Sequence, residues 1–285
     1  MKSYRPTTAS RRHMTVVTYK NVLTESSPLK SLTKGFKRGT GRNHHGRITT
    51  RHKGGGHKRS FRDVDFKYHD KMDIPARVAS VEYDPNRSGL IGLLVYHDGE
   101  KRYTLLPKDV KVGSVILTSA TASVTSGNRL PLKAIPVGTF VYNIEIKPRG
   151  GAKIARAAGI FAQVVAHDNG QALIKMPSTE IRKVTDTCFA SIGTVSNEEY
   201  KLMNYGKAGR SRHKGIRPTV RGTAMNPVDH PHGGGEGVQG RGLRRAKSAW
   251  GKPTGKGQKT RTPKKYSNVF IVSRRKVGKN RKSAA

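Results

Sequence analysis

A chain of 285 residues has room for one or two domains, but 34% hydrophobic and 6% aromatic residues are too few to pack a core along its whole length. Its 56 Lys and Arg face only 18 Asp and Glu, and a net charge of +38 repels itself in a compact body unless a polyanion, most commonly nucleic acid, neutralises it. One cysteine excludes an internal disulfide and a multi-cysteine zinc site, and no apolar run reaches the roughly 20 residues that span a bilayer, so no membrane partner is expected.

Residues 1–62 hold 16 Lys and Arg against the single acid Glu25. They read as a basic extension. Residues 1–24 lack acids and carry Arg and Ser like an organellar transit peptide, but the segment is short and lacks amphipathic periodicity. In Thr49–Arg59, three glycines lie among Arg51, His52, Lys53, His57, Lys58 and Arg59. Glycine lets a backbone approach closely, and the cations suit phosphate. The spacing is not that of a nucleotide-binding P-loop. The reading is a segment that threads through RNA.

Residues 63–199 are nearly neutral, with 17 basic and 15 acidic side chains. Short runs rich in Val, Ile and Tyr predict strands at Arg77–Tyr83, Leu90–Tyr96, Arg102–Leu106, Val115–Leu117, Thr139–Ile146, Phe161–His167, Ala172–Met176, Ile181–Val184 and Phe189–Val195. Asp98-Gly99 and Asn169-Gly170 predict hairpin turns. The stretch Gly127–Gly138 divides the strands into two groups. Two small β-barrels, at 63–127 and 128–199, are therefore expected, with a single sandwich as the alternative. Asp84-Pro85-Asn86-Arg87 predicts a turn that holds Arg87 at the rim of the first barrel. The Ala-rich stretch Ala152–Gly159 predicts a helical turn with Lys153 and Arg156 on one face. Cys188, between Thr187 and Phe189, reads as a small core residue.

Residues 200–285 return to 23 basic residues against Asp229 and Glu236, forming a second basic, Gly-rich extension. Such arms cannot bury enough apolar area to order themselves in water, so they are expected to order against phosphate. Gly235–Gly240 fits Gly-x-Gly-x-x-Gly, but no strand precedes it and no βαβ pattern surrounds it, which argues against dinucleotide binding. Two histidine groups, His44/His45/His52/His57 and His230/His232 with Asp229, lack zinc-site spacing. Asp229 could orient His230 as an acid–base group, yet no nucleophile motif accompanies it. Trp250, the only tryptophan, lies in a basic run as either a base-stacking or an anchoring residue.

The stretch Val220–Gly237, with Met225-Asn226-Pro227-Val228-Asp229-His230-Pro231-His232 at its centre, resembles the signature of the universal second protein of the large ribosomal subunit. Gly46–Lys58, Glu82–Ser88 and Ile135–Gly138 agree with it, and Gly-Gly-Gly-Glu-Gly resembles the bacterial or organellar branch. The family's own start falls near Tyr4. The likeness spans about Tyr4 to Arg275, departing at Ser248-Ala249-Trp250-Gly251, where bacterial members often have Thr-Pro-Trp-Gly, and in the unusual stretch Val238–Lys247 before it.

It implies an OB-like barrel followed by an SH3-like barrel. It also implies a structural, non-enzymatic role: primary binding of large-subunit ribosomal RNA, subunit joining, and support of the peptidyl-transferase region. Arg87 and Arg156 match the family's RNA-binding arginines. His230 matches the histidine associated with peptidyl transfer, with RNA as the catalyst. Further expected RNA contacts are Arg47, Arg51, His52, Lys53, His57, Lys58, Arg59, Lys153, Arg217, Arg221, Asn226 and His232. Expected partners also include small-subunit RNA and neighbouring ribosomal proteins. No homo-oligomer, no catalytic metal and no cofactor are expected, apart from structural Mg2+ held by RNA. The expected location is a ribosome of bacterial type in the cytoplasm, with an organellar ribosome as the alternative. A histidine-dependent catalyst and a DNA-binding architectural protein are the competing functions.

Overall fold

The computed structural model describes residues 1–237, 239–255 and 261–275. Its strands, in chain order, begin with the short pieces β1 Lys2–Ser3, β2 Thr15–Val16, β3 Thr33–Gly35 and β4 Ser60–Arg62. There follow β5 Ala76–Glu82, β6 Ile91–Tyr96, β7 Lys101–Leu105 and β8 Val115–Ile116. The next group is β9 Arg129–Pro131, β10 Phe140–Tyr142, β11 Ile144–Glu145, β12 Ala152–Ile154, β13 Ala162–Asp168, β14 Gln171–Lys175, β15 Ile181–Thr185 and β16 Phe189–Ile192. The α-helix α1, Ala208–His213, precedes the last strand, β17 Ile271–Ser273.

The chain divides into two compact units. Among the described residues, the first comprises 1–37, 58–207 and 269–275, and the second comprises 38–57 and those between 208 and 268. The first unit holds both β-barrels. One sheet runs β7-β6-β5-β8 and the other β17-β15-β14-β13-β10-β16-β9. Each sheet has its own core, because alternate residues of each strand point inward. Val78, Val81, Leu90, Leu94, Tyr96 and Leu106 fill the first. Leu130, Val141, Ile144, Val164, Ile174, Ala190 and their neighbours fill the second. Cys188 lies wholly buried in that second core, where burial pushes its thiol up to about 12, so it packs as a small apolar residue.

A third, smaller cluster joins the barrels: Leu105, Tyr142 and Val195, with Phe66 and Ala155 packed against them. Backbone bonds run across the same seam, from Ser196 N–H to the Leu106 carbonyl at 3.1 Å and from Lys108 N–H to the Thr194 carbonyl at 2.9 Å. The N-terminal segment is also tied to the first barrel. Tyr19 and Leu23 cover its core, and Val81 N–H donates to Thr24 Oγ1 at 2.9 Å.

The hairpin expectations hold. Asn169 and Gly170, at φ 45° and 74°, connect β13 to β14 with both turn residues left-handed, which suits Asn and Gly. The helical turn expected at Ala152–Gly159 is not formed. Its first three residues are β12, pairing antiparallel with β11, and Ala155 then turns the chain at φ 55°. Tertiary pairing outweighs the helix propensity of alanine here, so Lys153 and Arg156 do not share a helical face.

Candidate nucleic-acid interface

The turn after β5 is built by one carboxylate. Asp84 is fully buried; its Oδ1 accepts Asn86 N–H at 2.8 Å and its Oδ2 accepts Arg87 Nε at 2.6 Å. Neighbouring strands lock the turn. Arg59 Nη1 donates to the Pro85 carbonyl and Asn86 Nδ2 to the Ser60 carbonyl, both at 2.8 Å. From the second barrel, Ala158 N–H donates to Ser88 Oγ at 3.0 Å and Asn197 Nδ2 to the Ser88 carbonyl at 2.6 Å.

This geometry brings Arg87 and Arg156, 69 positions apart, onto a single ring. The Arg87 guanidinium lies 5.3 Å from the Phe66 centroid and that of Arg156 lies 4.6 Å from it. The π-face favours both cations, and Asp84 directly offsets the charge of Arg87. Arg156 is exposed and Phe66 half-buried. Arg59 joins this group through Pro85. Lys153 is exposed on β12, and Lys58 is exposed just before Arg59. Phe66 was not legible as part of the site: an aromatic after Asp65 carries no motif. Asp84 was legible, since an Asp that opens a turn commonly accepts backbone N–H groups two residues on.

The second unit gathers the remaining expected residues. Residues 52–57 run antiparallel to 213–217: Arg217 N–H donates to the His52 carbonyl, Gly54 N–H to the Gly215 carbonyl, and His57 N–H to the His213 carbonyl, at 3.0, 3.0 and 2.8 Å. Lys53 bridges Ile216 in the same ladder. The approach is so close that a Cβ on Gly56 would meet the Gly215 nitrogen at 2.7 Å. The glycines of the Thr49–Arg59 run thus serve close backbone contact, here with the chain's own backbone. Arg47 is exposed on a small loop closed by Asn43, whose Oδ1 accepts the Arg47 N–H at 3.0 Å. Arg217 and Arg221 are exposed. The Asn226 carbonyl accepts Asp229 N–H at 3.0 Å and His230 N–H at 3.2 Å, which folds the loop back.

Both histidines of that loop are held by backbone donors. His230 Nδ1 accepts His232 N–H at 3.0 Å, and His232 Nε2 accepts Lys247 N–H at 2.9 Å; their rings are 4.6 Å apart. The His230 ring also fills the space beside Gly222, where a Cβ would come within 2.5 Å of it. Because Nδ1 of His230 accepts a hydrogen bond from the His232 N–H, that nitrogen carries no N–H to present to Asp229. The Asp229–His230 orientation considered from the sequence is not formed. No group of three or more metal-capable side chains is gathered among the described residues. Among them, too, no helix is long and apolar enough to cross a membrane. Val238 of the Gly235–Gly240 motif lies outside the described residues, as does the end of the basic tail.

Burial, then the charges of His230, Arg241 and Lys247, lower the pKa of His232 below its ordinary value. A histidine that folds neutral contributes fully above its unfolded pKa, about 6.5, and progressively less as pH falls below it. Acidification from neutrality to about pH 5 should therefore loosen the link between His232 and Lys247. The emission of Trp250, three residues past Lys247, should report this change, and His232→Asn should largely remove it; an identical pH profile in that variant would refute the assignment.

Two joined β-barrels, paired cations on a shared aromatic ring and a glycine-rich cationic unit are the features of a chain suited to a polyanion such as nucleic acid. A family model described as "Ribosomal Proteins L2, RNA binding N-terminal domain" matches residues 29–118, and one described as "Ribosomal Proteins L2, C-terminal domain" matches residues 125–251. The chain belongs to the ribosomal protein L2 family, so its barrels are OB-like and then SH3-like, and its role in translation is that of an rRNA-binding structural component of the large ribosomal subunit. That membership points to a structural protein rather than an enzyme.

Proposed function

We propose that the chain is a primary binder of large-subunit ribosomal RNA in a ribosome of bacterial type, that it helps to join the subunits, and that it supports the peptidyl-transferase region. The observation that carries this reading is the convergence of Arg87 and Arg156 on Phe66 at the seam of two rigid barrels. A rigid body docks folded RNA without losing much conformational freedom, and its fixed cations set the register. The basic arms then reach between RNA helices. Among the described residues, the three buried apolar clusters all belong to the barrel-bearing unit. The second unit is held by backbone bonds and glycine contacts, and phosphate supplies the neutralisation that it lacks.

His230 has a supporting role in this reading. Its Nδ1 is committed to the backbone of its own loop, and it shapes that loop for RNA. Structural Mg2+ held by RNA, small-subunit RNA and neighbouring ribosomal proteins complete the proposed surroundings.

Binding of the full chain to large-subunit rRNA fragments between 50 and 500 mM salt tests the proposal. Affinity should fall by several orders of magnitude, roughly one power of salt concentration per phosphate neutralised. Duplex DNA of equal length should compete weakly. A flat salt response, or equal competition by DNA, would remove the basis for the proposal.

A further inference from the structure

We infer that Trp250 is a stacking platform for an unpaired nucleobase, held ready by Arg51. The inference rests on the rRNA-binding reading above and adds a site and a ligand class to it. Trp250 is the only tryptophan of the chain and is 73% exposed. Indoles are usually well buried, so one displayed this openly calls for a partner.

The display is rigid. Lys247 bridges Pro253, Ser248 N–H donates to the Lys252 carbonyl at 2.8 Å, Thr254 N–H donates to the Ala246 carbonyl at 2.7 Å, and Gly251 N–H closes the tip on the Ser248 carbonyl at 3.0 Å. Trp250 therefore sits at the tip of a closed turn. The turn is tied down at Lys247, whose N–H donates to His232. From the far end of the sequence, the Arg51 guanidinium comes over the indole, 5.0 Å from its centroid. The loop before Arg51 is fixed by Thr49 and Thr50, whose N–H groups both donate to the Gly41 carbonyl, at 2.9 and 3.0 Å. Arg51 thus acts on the ring, orienting the indole and leaving it open to a second flat partner.

The surroundings select that partner. Arg244, Arg245, Lys247 and Lys252 flank the tryptophan in sequence. An apolar protein surface gains nothing from so many cations, and a bare phosphate gains nothing from an indole face. A nucleobase on the ring, with its phosphates on the neighbouring cations, uses both. A base within a duplex is already stacked on both faces, so the ligand is a base in a loop, bulge or single strand.

Because Trp250 is the sole indole, its selectively excited emission reads the site directly. The full chain would be titrated with oligoadenylate, with an adenine–uracil RNA duplex of matched length, and with inorganic polyphosphate of matched charge. Oligoadenylate should quench the emission strongly. Polyphosphate and duplex should bind with little quenching. Trp250→Ala should weaken oligoadenylate binding about tenfold and leave polyphosphate binding unchanged, with Trp250→Phe recovering most of the loss. Equal quenching by polyphosphate, or an unchanged oligoadenylate affinity in Trp250→Ala, would overturn the inference while leaving rRNA binding intact. Failure of the wild-type chain to bind rRNA at all would overturn the underlying reading, and this inference with it.

Discussion

Replacing Glu145 with alanine should destabilise the protein by about 3–5 kcal/mol, because it strands a buried guanidinium. Arg129 and Glu145 are both almost wholly enclosed, and Nη2 of one lies 2.9 Å from Oε1 of the other. Arg129 Nη1 donates to the Asn143 carbonyl at 2.7 Å, its guanidinium lies 4.6 Å from the Tyr68 ring centroid, and Glu145 Oε2 accepts Phe189 N–H at 3.3 Å. Tyr68 comes from the first barrel's side and Arg129, Asn143, Glu145 and Phe189 from the second, so the pair pins the seam. Removing one partner leaves a charge in a site that water cannot reach, whereas removing both with apolar replacements of similar size does not. The double variant Arg129→Met, Glu145→Leu should therefore lie within about 2 kcal/mol of the wild type. Urea unfolding of the full chain decides the matter. A Glu145→Ala midpoint near that of the wild type would show the pair to be irrelevant. A double variant as unstable as the single one would show that shape, not charge, dominates.

That pair also explains one strand the sequence blurred. Thr139–Ile146 reads as one continuous run, but Asn143 breaks it into β10 and β11 at φ 54°. Its carbonyl serves Arg129 and its Nδ2 donates to the Tyr68 hydroxyl at 2.9 Å. These demands come from residues 14 and 75 positions away, which local periodicity does not register. The strand β9 was missed for a related reason: it lies in a Pro-containing stretch and occupies a sheet edge, where Pro131 costs no ladder bond. By contrast, β5, β6, β7, β13, β14 and β15 all fell within a residue or so of their expected positions, since alternation and hairpin turns are local signals. The pairings of β3 with β4, and of residues 52–57 with 213–217, join segments rich in glycine and cations. Such segments have no apolar face whose period could be read, and their charge alone suggests loose arms. For the site, the Asp-Pro-Asn-Arg turn was readable from its chemistry. Phe66 and the Arg51–Trp250 contact depend on folding distances that no motif encodes.

Phe66 permits a sharp division between charge and packing. The double variant Arg87→Gln, Arg156→Gln should lower rRNA affinity by about a hundredfold or more, because hydrogen bonds to charged groups contribute roughly 1.5–3 kcal/mol each. It should also reduce the slope of log affinity against log salt by between about 1 and 2, one unit for each phosphate contact fully lost. Glutamine is the replacement of choice because its amide can still donate to Asp84, whose buried carboxylate would otherwise lose that hydrogen-bond donor as well as its cation. Phe66→Leu keeps both charges and removes only the aromatic face beneath them, a loss of about 0.5–1 kcal/mol per cation. It should cost several-fold in affinity at an unchanged salt slope. Between the two arginines, Arg156 should account for the larger part of the slope, since Asp84 already compensates Arg87 at 2.6 Å while Arg156 stands exposed with no carboxylate paired to it among the described residues. If the double variant kept the wild-type slope, the two cations would have to face away from the RNA, and the barrel seam could not be the docking surface.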